Sequence, residues 1–202
     1  MFRFIAMFLG VTLFSSLALA DVNSTFFGQD LPAPKMSDAV PYGWFDSMLC
    51  EPMGQIGAGI YISSAAEQAR RNSGHSDLDE YQKALYRPYF GDLVDRVQIY
   101  YSAYLLDTMT FKIGKKRFEW IEGSAGITFG RNIYLNYSYS VGYGVLDSLL
   151  AHELIHVKQW EENGESDYSF GRDYFNDWCK SGFDYYSNKW EEEAYDFETR
   201  FY

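Results

Sequence analysis

His152, Glu153 and His156 stand within the segment AHELIHVKQW, residues 151–160. In a helix, residues four apart lie one above the other on the same face. Both imidazoles can then turn a nitrogen toward one point and share a metal ion. Glu153 sits one position round and can reach a water bound to that ion. The chemistry this spacing supports is metal-assisted hydrolysis, with two histidine ligands and a carboxylate base. The chain has three histidines. Two of them fall inside these five residues, which makes a chance pairing a poor explanation. The third, His75, reads as a surface histidine and not a catalytic one.

Such a site needs a helix to carry the motif and a third protein ligand, with water in the fourth place. Residues 145–160 supply the helix. Leu146, Leu149, Leu150, Leu154, Ile155 and Val157 leave it little polar surface, so burial on most sides is expected. Two histidines and a carboxylate in a dry helix call for a bound metal, because buried polar groups without partners are costly. Gly164 is the expected stop. No histidine follows His156, so a third ligand on that side must be a carboxylate. Residues 189–201 (KWEEEAYDFETRF) read as an amphipathic helix with Trp190, Ala194, Phe197 and Phe201 as its apolar stripe. Glu191 borders that stripe and Glu193 lies further round. Glu191 is the favoured ligand, with Glu193 as the alternative.

HELIHVKQW, followed after a few dozen residues by E-x-E-A (Glu191, Glu193, Ala194) on a helix, resembles the short glutamate-zincins, or gluzincins. The upstream AGITFGRNIYLN, residues 125–136, is similar to the strand pair that precedes the motif helix in those proteins. The resemblance covers about residues 125–201. It implies an α+β, zincin-like core with a small antiparallel sheet, an edge strand, a buried HExxH helix and a C-terminal helix bearing the glutamate. It also implies Zn2+ as cofactor, held by His152, His156 and Glu191. Glu153 is then the catalytic residue, taking the proton of a zinc-bound water and passing it to the leaving amine.

Other segments read more plainly. Residues 63–71 (SSAAEQARR) and 76–86 (SDLDEYQKALY) read as short helices, the second capped by Ser76 and stopped by Pro88. Residues 97–105 (VQIYYSAYL) read as a strand. Residues 127–129 and 133–135 read as a hairpin around Gly130, Arg131 and Asn132. The 133–135 strand either takes an extended substrate by β-augmentation or serves as an ordinary core strand. Residues 136–144 (NYSYSVGYG) read as a loop. An oxyanion stabiliser is expected near the carbonyl, but 18 tyrosines leave its identity open.

The first twenty residues, MFRFIAMFLGVTLFSSLALA, read as a signal peptide with cleavage after Ala20. The apolar run is short for a spanning helix, so no stable membrane anchor is expected after cleavage. Residues 21–40, with Pro32 and Pro34, read as a linker or extended arm, and 41–202 as a single zincin-like domain. In an oxidising compartment Cys50 and Cys179 form a disulfide; two buried thiols are the alternative. A net charge of −11 argues against nucleic acid and anionic lipid as partners. The aromatic content, 19 %, reads as core filling. The expected protein is a secreted or periplasmic zinc metallopeptidase whose partner is a peptide or protein substrate. Two alternatives are a non-catalytic binding or envelope protein on the same scaffold, and a zinc hydrolase of a non-peptide amide. The intact Glu153 speaks against the first of these.

Overall fold

The computed structural model describes residues 50–201 apart from 107, 114, 115 and 123, and gives the backbone alone over 108–122. The expected leader at 1–20 and arm at 21–40 lie outside the described residues. The architecture is α+β. Among the described residues the helices are α1 (Glu51–Arg71), α2 (Glu80–Phe90), α3 (Gly144–Glu162), α4 (Asp167–Lys180) and α5 (Lys189–Glu198). The strands are β1 (Gln98–Tyr100), β2 (Thr108–Ile113), β3 (Lys116–Glu122), β4 (Gly126–Phe129) and β5 (Asn132–Leu135). None of the described helices is long and apolar enough to cross a membrane.

The motif helix, α3, forms as its apolar residues require. Leu146, Leu150 and Leu154 are fully buried and join Ile99, Ile133 and Leu135 of the sheet in one core. The helix ends at Glu162, and Gly164 just beyond it takes a φ of +81°, which a residue without a Cβ accommodates freely. The Glu165 N–H then donates back to Trp160 O at 3.1 Å and turns the chain into α4.

The sheet departs from expectation. Its order is β1-β5-β4, with β1 parallel to β5 and β4 antiparallel to it, so it is mixed and not purely antiparallel. The reason is topological. The β2–β3 hairpin forms a separate two-stranded ribbon, and the β4–β5 hairpin that follows inserts β5 beside β1 in the same direction. Strand 133–135 is therefore central and cannot accept a substrate strand. Among the described residues, β4 has an unpaired edge. The strand expected over 97–105 stops at Tyr100, because Ser102 adopts a φ of +52° and breaks the extended run.

Two helices also differ from their sequence reading. The second begins at Glu80, not Ser76, because Asp79 and Gln82 cap it reciprocally: Gln82 N donates to Asp79 Oδ1 at 2.8 Å and Asp79 N to Gln82 Oε1 at 3.2 Å. Ser76 instead exchanges backbone hydrogen bonds with Ile99. Pro88 lies inside this helix and does not stop it; the last turn is held by buried Phe90, whose ring sits 5.1 Å from that of Phe197. The first helix is 21 residues long and starts at Glu51, twelve residues before the expected start at Ser63. Gly54, Gly57 and Gly59 hid that start, since glycine disfavours helix.

One of those glycines has a packing role. A Cβ on Gly57 would lie 2.1 Å from the ring of Phe175, a fully buried residue of α4. Helix α4 was not anticipated, because DYSFGRDYFNDWCK is mostly polar. It buries Phe170, Tyr174, Phe175 and Trp178 against α1 and forms a second, aromatic core. The Cys50–Cys179 disulfide joins the start of α1 to the last turn of α4 across 129 residues, with Cα atoms 5.4 Å apart. In the chain-entropy model such a loop is worth about 4–5 kcal/mol. A disulfide is consistent with an oxidising compartment.

The two glycines of α1 make a paired test. Gly59 is exposed with nothing near its missing Cβ, so Gly59→Ala should raise unfolding free energy by up to about 1 kcal/mol through helix propensity. Gly57→Ala gains the same propensity but must displace Phe175, for a net loss of about 1–2 kcal/mol. Urea denaturation of the oxidised protein measures both. Equal effects at the two positions would contradict the close approach of α1 and α4.

Candidate metal centre

Helix α3 carries His152 and His156 on one face, and the first turn of α5 brings Glu191 to meet them. Asn188 caps α5 by accepting from Trp190 N at 3.2 Å. Ala194, fully buried and without a bulky side chain, lets α5 lie close against α3. Glu191 is one turn back on the same face, and only 3 % of it is exposed. Its Oε2 is 3.5 Å from Nε2 of each histidine, and the two Nε2 atoms are 3.2 Å apart.

These three atoms form a triangle of the size a metal ion requires. With bonds of about 2.0–2.1 Å, tetrahedral ligand atoms lie roughly 3.3–3.4 Å apart. The donor set passes a second check. Glu191 Oε1 accepts from Tyr174 Oη at 2.6 Å, whereas Oε2 is buried with no hydrogen-bond partner. A buried carboxylate oxygen in that position is costly unless something positive sits before it. His152, His156 and Glu191 are thus a buried group that could hold a metal ion.

Glu193, the alternative ligand, is elsewhere. Its side chain is 47 % exposed, and it accepts from Lys158 Nζ at 3.2 Å and Gln159 Nε2 at 3.0 Å. His75 is exposed, with its ring 5.8 Å from that of Tyr100. Glu153 lies with the histidines and Glu191 on one cavity of about 70 Å3. Its Oε2 accepts from Thr128 Oγ1 of β4 at 2.7 Å. Its other oxygen lies against Gly126, where a Cβ would come within 2.6 Å of Oε1. Strand β4 thus borders the cavity, and the rings of Tyr61, Phe170, Tyr174 and Tyr185 line it as well.

Several residues that support this cluster escaped the sequence reading. His152 Nδ1 is 3.0 Å from Glu198 Oε2, and the ring of Tyr195 packs edge-on against His152 at 4.7 Å. His156 Nδ1 is 2.9 Å from Gln159 Oε1. Glu198 had a detectable signal, since it follows Glu191 by seven residues on the same helix face. Thr128, Tyr174 and Tyr185 had none, because each comes from a different segment.

The electrostatics follow from burial and proximity. Burial opposes a charge on His152, but Glu191 and Glu198 outweigh it and push its pKa up to about 10. His156 is raised as well, with Glu191 overcoming burial. Burial would raise the Glu191 carboxyl, yet the two histidines hold it well below the usual carboxylate range. Glu153 is raised, chiefly by burial, with the histidines and Thr128 moderating the effect. Without a metal, the cluster therefore favours a proton on His152 and negative charge on Glu191.

Family models, characterised proteins and solved structures contain no match to this chain.

Two outcomes follow for metal uptake. Ligating histidines must be neutral, so binding at pH 7 should release a proton from His152, and affinity should climb as pH rises toward about 10. Calorimetry in buffers of different ionisation heat counts the protons; zero release would contradict the cluster's charge state. Glu191→Ala should weaken binding by more than the roughly 100-fold typical of supporting residues, and Glu193→Ala by less. Competition with a chromophoric chelator measures both.

Proposed function

We propose that the chain is an exported zinc-dependent hydrolase, a peptidase of the short gluzincin kind. The observation that carries this reading is the triangle of His152 Nε2, His156 Nε2 and Glu191 Oε2, with Glu153 on the same cavity. Two imidazoles and one carboxylate, spaced for tetrahedral coordination, suit zinc better than the hard cations that prefer all-oxygen sites. Bound there, zinc would lower the pKa of a water and polarise the scissile carbonyl.

The remaining work falls to the protein's own groups. Glu153 takes the proton of the attacking water and delivers it to the leaving nitrogen. Burial raises its pKa, which strengthens it as a base, and Thr128 keeps one oxygen fixed while the other lies beside Gly126 at the cavity wall. The unpaired edge of β4 offers main-chain donors and acceptors to an extended peptide, the role that β5 cannot fill. For the oxyanion we assign Tyr185. Burial and the charge of Glu191 hold its hydroxyl protonated, and it lines the cavity beside the proposed zinc ligands. Tyr61 accepts from Gly130 N and Tyr174 donates to Glu191; Tyr185 also interacts with Glu191 and Tyr195, so its hydroxyl must turn from them to reach the oxyanion.

Export is supported by the leader-like residues 1–20 and by the Cys50–Cys179 disulfide. The net charge of −11 is poorly suited to nucleic acid or anionic lipid, leaving peptides and proteins as the favoured partners. The test compares zinc-loaded wild type with Glu153→Gln on a library of unstructured peptides. Cleavage should fall by about 10²–10⁴-fold in the variant while zinc stays bound. Zinc binding without any Glu153-dependent cleavage would overturn the peptidase reading and leave the metal centre standing.

A further inference from the structure

We propose that Gln159 is a positioning residue that fixes the metal-facing nitrogen of His156 and the approach of Glu191 together. This rests on the metal-centre reading above. An amide side chain has one oxygen that accepts and one NH2 that donates two hydrogens. Gln159 is 1 % exposed, so its bonding is met by protein groups. Its Nε2 lies 2.9 Å from the carbonyl oxygen of Trp190 and 3.0 Å from Glu193 Oε2. Both partners accept only, so both hydrogens of the amide are committed. A flipped amide would set its oxygen against two acceptors.

That orientation leaves Oε1 facing His156 Nδ1 at 2.9 Å. An amide oxygen can only accept, so Nδ1 carries the hydrogen. The lone pair of the neutral ring is then on Nε2, the atom directed at His152 and Glu191. The tautomer of His156 is thus set by an amide whose own orientation is set from the opposite helix. Trp190 immediately precedes Glu191, so the same amide ties the first turn of α5 to α3 at the level of the ligands. Lys158 Nζ, 3.2 Å from Glu193 Oε1, holds the outer end of this chain of contacts.

The test uses zinc alone as the probe and protein labelled with 15N at histidine. With three histidines, the spectrum is assignable by single substitutions. In zinc-loaded wild type, His156 should show zinc at Nε2 and a slowly exchanging hydrogen on Nδ1. Gln159→Met should weaken zinc binding about 10–100-fold by chelator competition and make that hydrogen exchange fast. Gln159→Glu keeps an acceptor for Nδ1 but sets its second oxygen against Glu193 and the Trp190 carbonyl, so it should retain the Nδ1 hydrogen signal that Gln159→Met loses while still binding zinc more weakly than wild type. A merely structural role would lower the unfolding midpoint of the metal-free protein in both variants and leave the exchange of the Nδ1 hydrogen the same in both. That equality, or wild-type affinity in Gln159→Met, overturns the proposal. If Gln159→Met does not fold, the wild-type spectrum decides, since zinc on Nδ1 of His156 contradicts the assignment outright. Failure of wild type to bind zinc sinks the metal-centre reading itself and is a separate result.

Discussion

The approach of α5 to α3 across Ala194 is the contact on which the rest depends. It carries a buried carboxylate oxygen, without a hydrogen bond, to within 3.5 Å of two imidazole nitrogens. A carboxylate left there without positive charge would be strongly unfavourable. Without a metal, His152 answers by holding a proton, which is why it is pushed up while Glu191 is pulled down. A divalent ion would replace that proton with a charge that does not depend on pH in the neutral range. Proton trap and metal cluster are thus two occupancies of one electrostatic arrangement.

Every other element contributes to holding that arrangement. The sheet supplies the floor of the core under α3, and β4 brings Thr128 and the bare backbone of Gly126 against Glu153. The α1–α4 pair, closed by the disulfide and by Phe175 set into Gly57, reaches the centre through Tyr174, which occupies the second oxygen of Glu191. Glu198 and Gln159 stand behind the two histidines, one a carboxylate and one an amide. Ligand histidines commonly require such partners to fix ring orientation. The cavity that results is small, so substrate contact beyond the reacting bond would fall to the edge of β4.

The parts visible in the sequence were those governed by helical periodicity. His152, Glu153 and His156 declared their common face through spacing, and the leucines of α3 declared its burial. The face of α5 separated Glu191 from Glu193 for the same reason. What the sequence hid depends on contacts between distant segments. The start of α1 was concealed by glycines whose value lies in the ring of Phe175, 118 residues away. The polar face of α4 masked its aromatic one. The parallel pairing of β1 with β5 cannot be inferred from either strand, and it moved the free edge from residues 133–135 to Gly126–Phe129. Tyr174 and Thr128 reach the centre only through that tertiary arrangement.

The central claim is that His152, His156 and Glu191 hold one zinc ion. X-ray absorption at the zinc edge, joined to anomalous diffraction from zinc-loaded crystals, tests it most directly. The account predicts one zinc per chain between α3 and α5, with two imidazole nitrogens and one carboxylate oxygen at about 2.0–2.2 Å. Zinc bound at another place, or bound here without the oxygen of Glu191, would contradict it.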